Sequence, residues 1–457
     1  MPVPGSLIAE FTHALNDDIL KKWYPLVVDK TYGGYFTNVT YDWKLMQEQE
    51  KMIVTQARHV WTLSKSAAFQ SDGAKYRDLA LHGYSFLKNV MWDSEFGGFY
   101  QIRSREGGPS DVRGWRDEKR SYGNAFGVYA LAAFYDITRD PEVLAFARRA
   151  FAWIEDHAYD PREKGYFEFL MRDGTPFNKS SKYVTVASDG NEVGYKDQNS
   201  SIHLLEAYTE LYKVWKDPVL REKLLSLLIL IRDRMVAEKG YLQLFFYDDW
   251  TPLSFRDAPA AEREANFGLD HVSFGHDFET AFLMLEASHA LGLEDDKKTL
   301  AIGRKMVDHG LAHGWDKEVG GVYDGGYYLK DRPGCTILRD TKNWWAQAET
   351  LNALLLLSKI YPDAGYEAYF LRQWEYVKEY ILDKRNGDWF EGGIDKEPDF
   401  TTGLKSHIWK CTYHTGRSLM NCIAMLSDGS HADAGIVRHK HEIDELIAAW
   451  KKVAASH

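Results

Sequence analysis

Cysteine is scarce in this chain. Only Cys335, Cys411 and Cys422 occur among 457 residues, and none falls in a Cys-x-x-Cys spacing. An odd and scattered set argues against a disulfide framework and against a structural zinc site. Long apolar runs are also lacking. The longest, Leu227–Ile231 and Ala353–Leu357, fall far short of the roughly 20 residues that cross a bilayer, so no membrane partner is expected. The first residues show no basic start followed by an apolar stretch. No signal peptide is read there, and a cytoplasmic location is expected. Positive charge is in the minority, with 56 Lys and Arg against 67 Asp and Glu and a formal net charge of −11. Nucleic acid is therefore not an expected partner, because its phosphates call for a basic face. The phosphate-cradling motifs Gly-x-x-x-x-Gly-Lys-Ser/Thr and Gly-x-Gly-x-x-Gly do not occur, nor does the Gly-x-Ser-x-Gly of a serine nucleophile.

Aromatic residues, by contrast, are plentiful: 15 Trp, 27 Tyr and 23 Phe. Such rings fit two readings, a large aromatic core or surfaces on which the C–H faces of sugars stack. The order in which they fall is more informative. A glycine turn flanked by aromatics recurs six times: Tyr32-Gly33-Gly34-Tyr35, Phe96-Gly97-Gly98-Phe99, Lys164-Gly165-Tyr166-Phe167, Lys239-Gly240-Tyr241-Leu242, Val319-Gly320-Gly321-Val322 and Asn386-Gly387-Asp388-Trp389. In five of the six an Asp precedes the turn (Asp29, Asp93, Asp160, Asp316 and Asp383), and the steps between turns run from 64 to 81 residues. Self-similarity of this kind indicates repeated supersecondary units.

Each unit reads as the turn, a few strand-like residues, a polar loop and two helices. The first helices are Ala57–Phe69, Ala125–Ile137, Ile202–Trp215, Phe278–Leu291, Ala346–Ile360 and Arg417–Leu426. Their apolar residues follow the helical period, as in Leu204, Ala207, Tyr208 and Leu211. The second helices are Tyr76–Val90, Pro141–His157, Pro218–Val236, Lys297–His313 and Tyr366–Ile381, with Leu7–Trp23 and Lys440–Ala455 at the two ends. No polar capping repeat ends the series, so closure into a ring is expected rather than an open solenoid. The expected fold is all-α, an (α/α)6 barrel of about twelve helices with short β-hairpins in the connections. No linker-like segment divides the chain, and residues 1–457 read as one domain.

The polar residues near the start of each first helix share one phase. They are Arg58, Tyr122 with Asn124, Asn199 with His203, His276 with Glu279, Trp345 with Glu349, and His414 with Arg417. Equal phase in equal units gathers them at one mouth of the ring, and pairs at i, i+3 or i, i+4 share a helix face. Taken singly, a His there is often a cap, and a Glu complements the helix dipole. His309 and His313 are the one His pair at i, i+4; on an outer helix they read as surface residues rather than metal ligands. His431, His439 and His441 lie in a polar segment and read as solvated.

Ser273-Phe274-Gly275-His276-Asp277-Phe278-Glu279, Trp344-Trp345-Ala346-Gln347-Ala348-Glu349 and Trp409-Lys410-Cys411-Thr412-Tyr413-His414-Thr415-Gly416-Arg417 resemble signatures of the N-acylglucosamine 2-epimerase superfamily. The stretches 57–61 and 199–207 extend the likeness, which runs from about residue 25 to about 425. The resemblance implies an isomerase that inverts C2 of a free reducing sugar, through ring opening and an ene-diolate, without a cofactor or a metal. It implies His276 and His414 as the acid/base pair and Arg58 as the group that holds the substrate oxygens. His203 would lie near O1 and O5, with Asn199 at a hydroxyl. Glu279 and Glu349 would orient the histidines, Trp345 and Trp409 would line the sugar, and Tyr122 would be a further pocket residue.

Two departures favour a monosaccharide, mannose or glucose. Phe282 stands where cellobiose 2-epimerases carry Trp, and the loop Phe255–Val272 is long enough to reach over the mouth and exclude a second ring. The alternatives are the reducing end of a β-1,4-disaccharide, an N-acylglucosamine, or aldose–ketose isomerisation. Different classes are an inverting glycoside hydrolase built on Glu279 and Glu349, or a sugar-binding protein without catalysis. The partner expected is a small sugar, and the chain is expected to be a monomer or homodimer.

Overall fold

The turns set the frame. In the second repeat Gly97 and Gly98 have φ of 68° and 73°, a region that L side chains rarely enter. A Cβ on Gly98 would also lie 2.6 Å from the Trp153 ring. Asp93 caps this turn by accepting from the amides of Glu95 and Phe96, and it binds Lys119 Nζ at 3.0 Å. Burial works against the ionised carboxyl, but Arg172 and Lys119 hold Asp93 well below its ordinary range. The same buried pair recurs as Lys51–Asp29 at 2.9 Å, Lys196–Asp160 at 2.8 Å, Lys342–Asp316 at 2.8 Å and Lys405–Asp383 at 2.7 Å. The fourth repeat has Ala237 and Val272 at both positions instead. Either solution is sound, whereas losing one member of a pair would strand a buried charge at a cost of about 3–5 kcal/mol.

The computed structural model describes residues 4–110, 112, 117–179, 191–427 and 434–456. In chain order its helices are α1 (Pro4–His13), α2 (Lys21–Trp23), α3 (Ile53–Phe69), α4 (Gly73–Phe86), α5 (Ser121–Thr138), α6 (Pro141–His157), α7 (Gln198–Val214) and α8 (Pro218–Leu230). They continue with α9 (Ala260–Ala265), α10 (Phe267–Asp270), α11 (Phe274–Ala290), α12 (Lys297–His313), α13 (Trp344–Ile360), α14 (Tyr366–Tyr376), α15 (Tyr413–Leu426) and α16 (Ala434–Ala455). The inner ring runs α3, α5, α7, α11, α13, α15 and returns to α3, each packed on the next. Outside it α4, α6, α8, α12 and α14 each pack on the inner helix before them, and α1 packs on α15. This is the expected (α/α)6 barrel. Among the described residues no helix is long and apolar enough to cross a membrane.

The inner helices begin two to four residues earlier than their apolar pattern indicates. Their first turns break the apolar period, because residues such as Tyr122, Asn199, His276, Trp345 and His414 turn to the cavity at the mouth. Outer helices start conventionally: Asp140 and Asp217 cap α6 and α8, each followed by Pro at the first helical position.

Strand pairing stitches one repeat to the next. The strand entering an inner helix pairs with the strand after the following glycine turn. Thus β1 (Lys51–Met52) meets β2 (Ile102–Arg103), β3 (Lys119–Arg120) meets β4 (Phe169–Leu170), and β5 (Lys196–Asp197) meets β6 (Phe245–Phe246). β7 (Val272–Ser273) meets β8 (Gly325–Tyr327), which also pairs with β9 (Thr336–Arg339). Single bridges, Asn343 with Gly392 and Ser406 with Val39, complete the circuit, and the latter closes the ring. The expected hairpins are single antiparallel bridges across each glycine turn, such as Trp92 with Phe99, together with the β8–β9 hairpin.

Helix α16 crosses the end of the ring away from the glycine turns. Arg438 reaches Asp136 near the end of α5, His439 binds Asn421 on α15, and Trp450 donates to the Leu285 carbonyl on α11.

Candidate active site

The first turns of the six inner helices converge on a chamber of about 210 Å³. Nine of the ten side chains expected at the site line it: Arg58, Tyr122, Asn199, His203 and His276, then Glu279, Trp345, Trp409 and His414. Glu349, the tenth, lies behind His414, whose Nδ1 is 2.7 Å from Glu349 Oε1. Trp344 also lines the chamber; it stands beside Trp345 in the same motif but was not singled out in the sequence.

Three imidazoles share the chamber, each backed differently. His414 Nδ1 faces Glu349, with Glu279 at 3.8 Å. His203 Nδ1 faces Glu206 Oε2 at 2.8 Å. His276 Nδ1 meets the Ser273 hydroxyl at 2.7 Å. A carboxylate at Nδ1 keeps the proton there and leaves Nε2 as the basic nitrogen. The Trp345 ring lies 4.6 Å from the His276 ring and 5.8 Å from that of His414, so one indole touches both. Burial pushes His276 down to about 3 and His414 well below its ordinary range. Burial thus favours the neutral form of both rings.

Arg58 donates to the Tyr122 hydroxyl at 2.8 Å and to the Trp409 carbonyl at 3.2 Å. Its guanidinium lies over the Phe126 and Tyr413 rings, 4.3 and 4.8 Å from their centroids. Among the described residues no carboxylate lies within ion-pair distance of it, and its Nε is buried without a partner. A buried cation with only neutral neighbours is poised for negative charge that arises on a ligand.

Beneath the histidines Arg417 Nη2 binds Glu349 at 2.7 Å and Glu279 at 3.0 Å. Its Nη1 binds Glu206, which also accepts from Tyr413. Burial pushes both Glu279 and Glu349 up to about 7. Glu279, Glu349 and His414 are the one group among the described residues with metal-ligand atoms within 4.8 Å of one another. The Arg417 charge already sits between the two carboxylates.

Outside the chamber a vestibule of about 630 Å³ shares Tyr122, Asn199, His276, Trp345 and Trp409 with it. The loop Phe255–Val272 stands at its rim, folded into α9 and α10. Asp270 fastens this loop by accepting from the Phe255 amide and the Tyr327 hydroxyl. Gly268 and His271 form part of the vestibule wall. The loop therefore shapes the vestibule without filling it. Phe282 is buried in α11 and lines neither cavity. Two further histidines depart from their sequence reading. His309 is buried, with Nε2 at 2.8 Å from the Tyr328 hydroxyl and Nδ1 at 3.4 Å from Asp277. His439 is half-buried against Asn421 because α16 lies on the barrel. His441 is exposed as expected, and His431 lies outside the described residues.

The sequence pattern of the N-acylglucosamine 2-epimerase (GlcNAc 2-epimerase) family matches residues 34–415. A cellobiose 2-epimerase of Bacteroides fragilis is 31% identical over 426 residues, 92% of this chain and 98% of that protein. A D-mannose isomerase of Marinomonas mediterranea is 24% identical over 422 residues, 91% and 97% of the two chains. Among solved structures, the cellobiose 2-epimerase of Bacillus thermoamylovorans superposes with a TM-score of 0.77 at 27% identity, covering 92% of this chain and 99% of that one. The chain belongs to the N-acylglucosamine 2-epimerase family and is a carbohydrate epimerase of the isomerase class.

Proposed function

We propose that the protein inverts C2 of a reducing aldose by moving a proton beside an opened carbonyl. One observation carries this reading: His276 and His414 touch a single Trp345 ring in a chamber that also holds the carboxylate-free Arg58. Ring opening comes first, at O1 and O5 beside His203, because only the aldehyde acidifies the C2–H bond. A neutral imidazole on one face takes the C2 proton, and the electron pair moves onto the carbonyl oxygen as an ene-diolate. Arg58 meets that charge, with the Tyr122 hydroxyl beside it. The imidazole on the other face, charged beforehand, returns a proton to C2. When His414 is the donor, its ring has first taken up a proton at Nε2, and the Glu349 carboxylate at Nδ1 stabilises the imidazolium. The two histidines exchange roles in the reverse reaction.

The test is incubation in D2O with mannose, cellobiose and N-acetylglucosamine, followed by NMR. Deuterium at C2 with formation of the 2-epimer is the expected result. Deuterium at C1 with a ketose product would instead assign an isomerase, and cleavage of cellobiose into two monosaccharides a hydrolase.

A free mannose or glucose fits the chamber as the first reading of substrate size. The vestibule favours a second, in which the reacting ring is the reducing end of a β-1,4-disaccharide. Gly268 separates the two. A Cβ there meets nothing within 4 Å, so Gly268→Trp projects an indole into the vestibule without disturbing the packing. If a second ring lies there, the variant loses disaccharide turnover by about tenfold or more and keeps that of the monosaccharide. Equal retention of both would leave the vestibule without a part in binding.

A further inference from the structure

Arg417 lies one turn beyond His414 on α15, is nearly inaccessible, and holds carboxylates from three other inner helices: Glu206 of α7, Glu279 of α11 and Glu349 of α13. Two of these carboxylates are the ones that face histidines. Glu206 turns Oε1 to Arg417 and Oε2 to His203 Nδ1. Glu349 receives both Arg417 and His414 Nδ1 on Oε1. A single guanidinium therefore joins two histidine–carboxylate pairs that reach the chamber from α7 and α15. Its fork geometry allows this; an ammonium has no such planar reach. Three buried carboxylates without this cation would repel one another and take up protons. A protonated carboxyl no longer holds an imidazole in one tautomer. Burial alone would raise Glu206, yet Arg417, His203 and Tyr413 bring it down to about 2.

We propose, resting on the epimerase reading, that Arg417 is a positioning residue. Through Glu206 and Glu349 it keeps the Nδ1 protons of His203 and His414 in place, so that both rings offer Nε2 to the sugar. It does not touch the substrate itself, since it does not line the chamber.

The test compares Arg417→Met and Arg417→Lys with wild type for kcat, KM, the pH profile of kcat/KM and thermal midpoint. In Arg417→Met, kcat falls about 10²- to 10⁴-fold while KM changes little. The acidic limb of the profile moves to higher pH, because the carboxylates lose the charge that favoured ionisation. Arg417→Lys retains a positive charge, recovers part of kcat and shows a smaller displacement in the same direction. If Arg417→Met does not fold, Arg417→Lys decides alone. A folded variant with wild-type kcat and an unmoved profile, or one that loses only thermal stability, overturns the inference. C2 deuterium exchange by the wild type is the control. Its absence removes the epimerase reading itself, whereas active wild type with unaffected variants removes only the role given to Arg417.

Discussion

His276→Ala and His414→Ala each lose epimerisation by at least about 10²- to 10⁴-fold, the range typical of a positioned acid or base. The more telling result is what each variant keeps. An enzyme with one imidazole on each face of C2 still has one of them after a single replacement. That one can remove the C2 proton of a single epimer and return deuterium to the same face. Each variant is thus expected to exchange solvent deuterium into one epimer only, and the two variants into opposite epimers. NMR of each pure epimer in D2O reads this directly and assigns each histidine to its face. The backing of the rings predicts a further asymmetry. His414 has a carboxylate at Nδ1, whereas His276 has only the Ser273 hydroxyl, so the exchange that relies on His414 is the faster. Near-normal epimerisation by either variant would overturn the assignment.

Arg58→Met loses about 10²- to 10³-fold in kcat/KM, the scale for removing a principal donor to a developing oxyanion. The same variant unfolds at an unchanged or higher temperature. The guanidinium is buried, it stacks on aromatic rings and binds only a hydroxyl and a carbonyl, so its desolvation is not repaid by an ion pair. A methionine of similar length fills the space among Phe126 and Tyr413 without that penalty. Loss of activity together with retained or increased stability marks a group kept for chemistry rather than for folding. Arg58→Lys keeps the charge but not the fork that reaches Tyr122 and the Trp409 carbonyl together, and recovers only part of the activity. Parallel loss of stability and activity in Arg58→Met would show a structural residue instead.

The architecture was largely legible because it is written six times. Glycines with positive φ tolerate few alternatives, and the Asp before them caps the turn, so both recur visibly. The lysines that complete those pairs were not read. Lys51, Lys119, Lys196 and Lys342 sit in short polar stretches where lysine ordinarily faces water, and only tertiary folding brings each against its Asp. Ring closure, argued from the lack of a capping repeat, comes in the structure from α15 packing on α3 and from the bridge between Val39 and Ser406, which is too short to leave a pattern. Eight of the nine expected residues that share one chamber are carried there by helical phase, and Trp409 comes from the loop before α15. Glu206 was passed over although it lies three residues after His203, inside the apolar run Leu204-Leu205-Glu206-Ala207. A carboxylate on a buried face beside a histidine was the available signal. Phe282 stands at the position of a family ring, but its side chain is buried and lines neither cavity, which its place in the sequence does not reveal.

The buried cluster of Arg417 with Glu206, Glu279 and Glu349 floors the chamber, and α16 lies across the far end of the ring beyond it. On the epimerase reading, a sugar that enters through the vestibule leaves by it before another can enter. Nothing pulls the product onward, so each turnover competes with re-entry of what was just made. Accumulated product therefore competes with fresh substrate for the approach through the vestibule, while the final ratio of the two epimers is set by their relative stabilities alone.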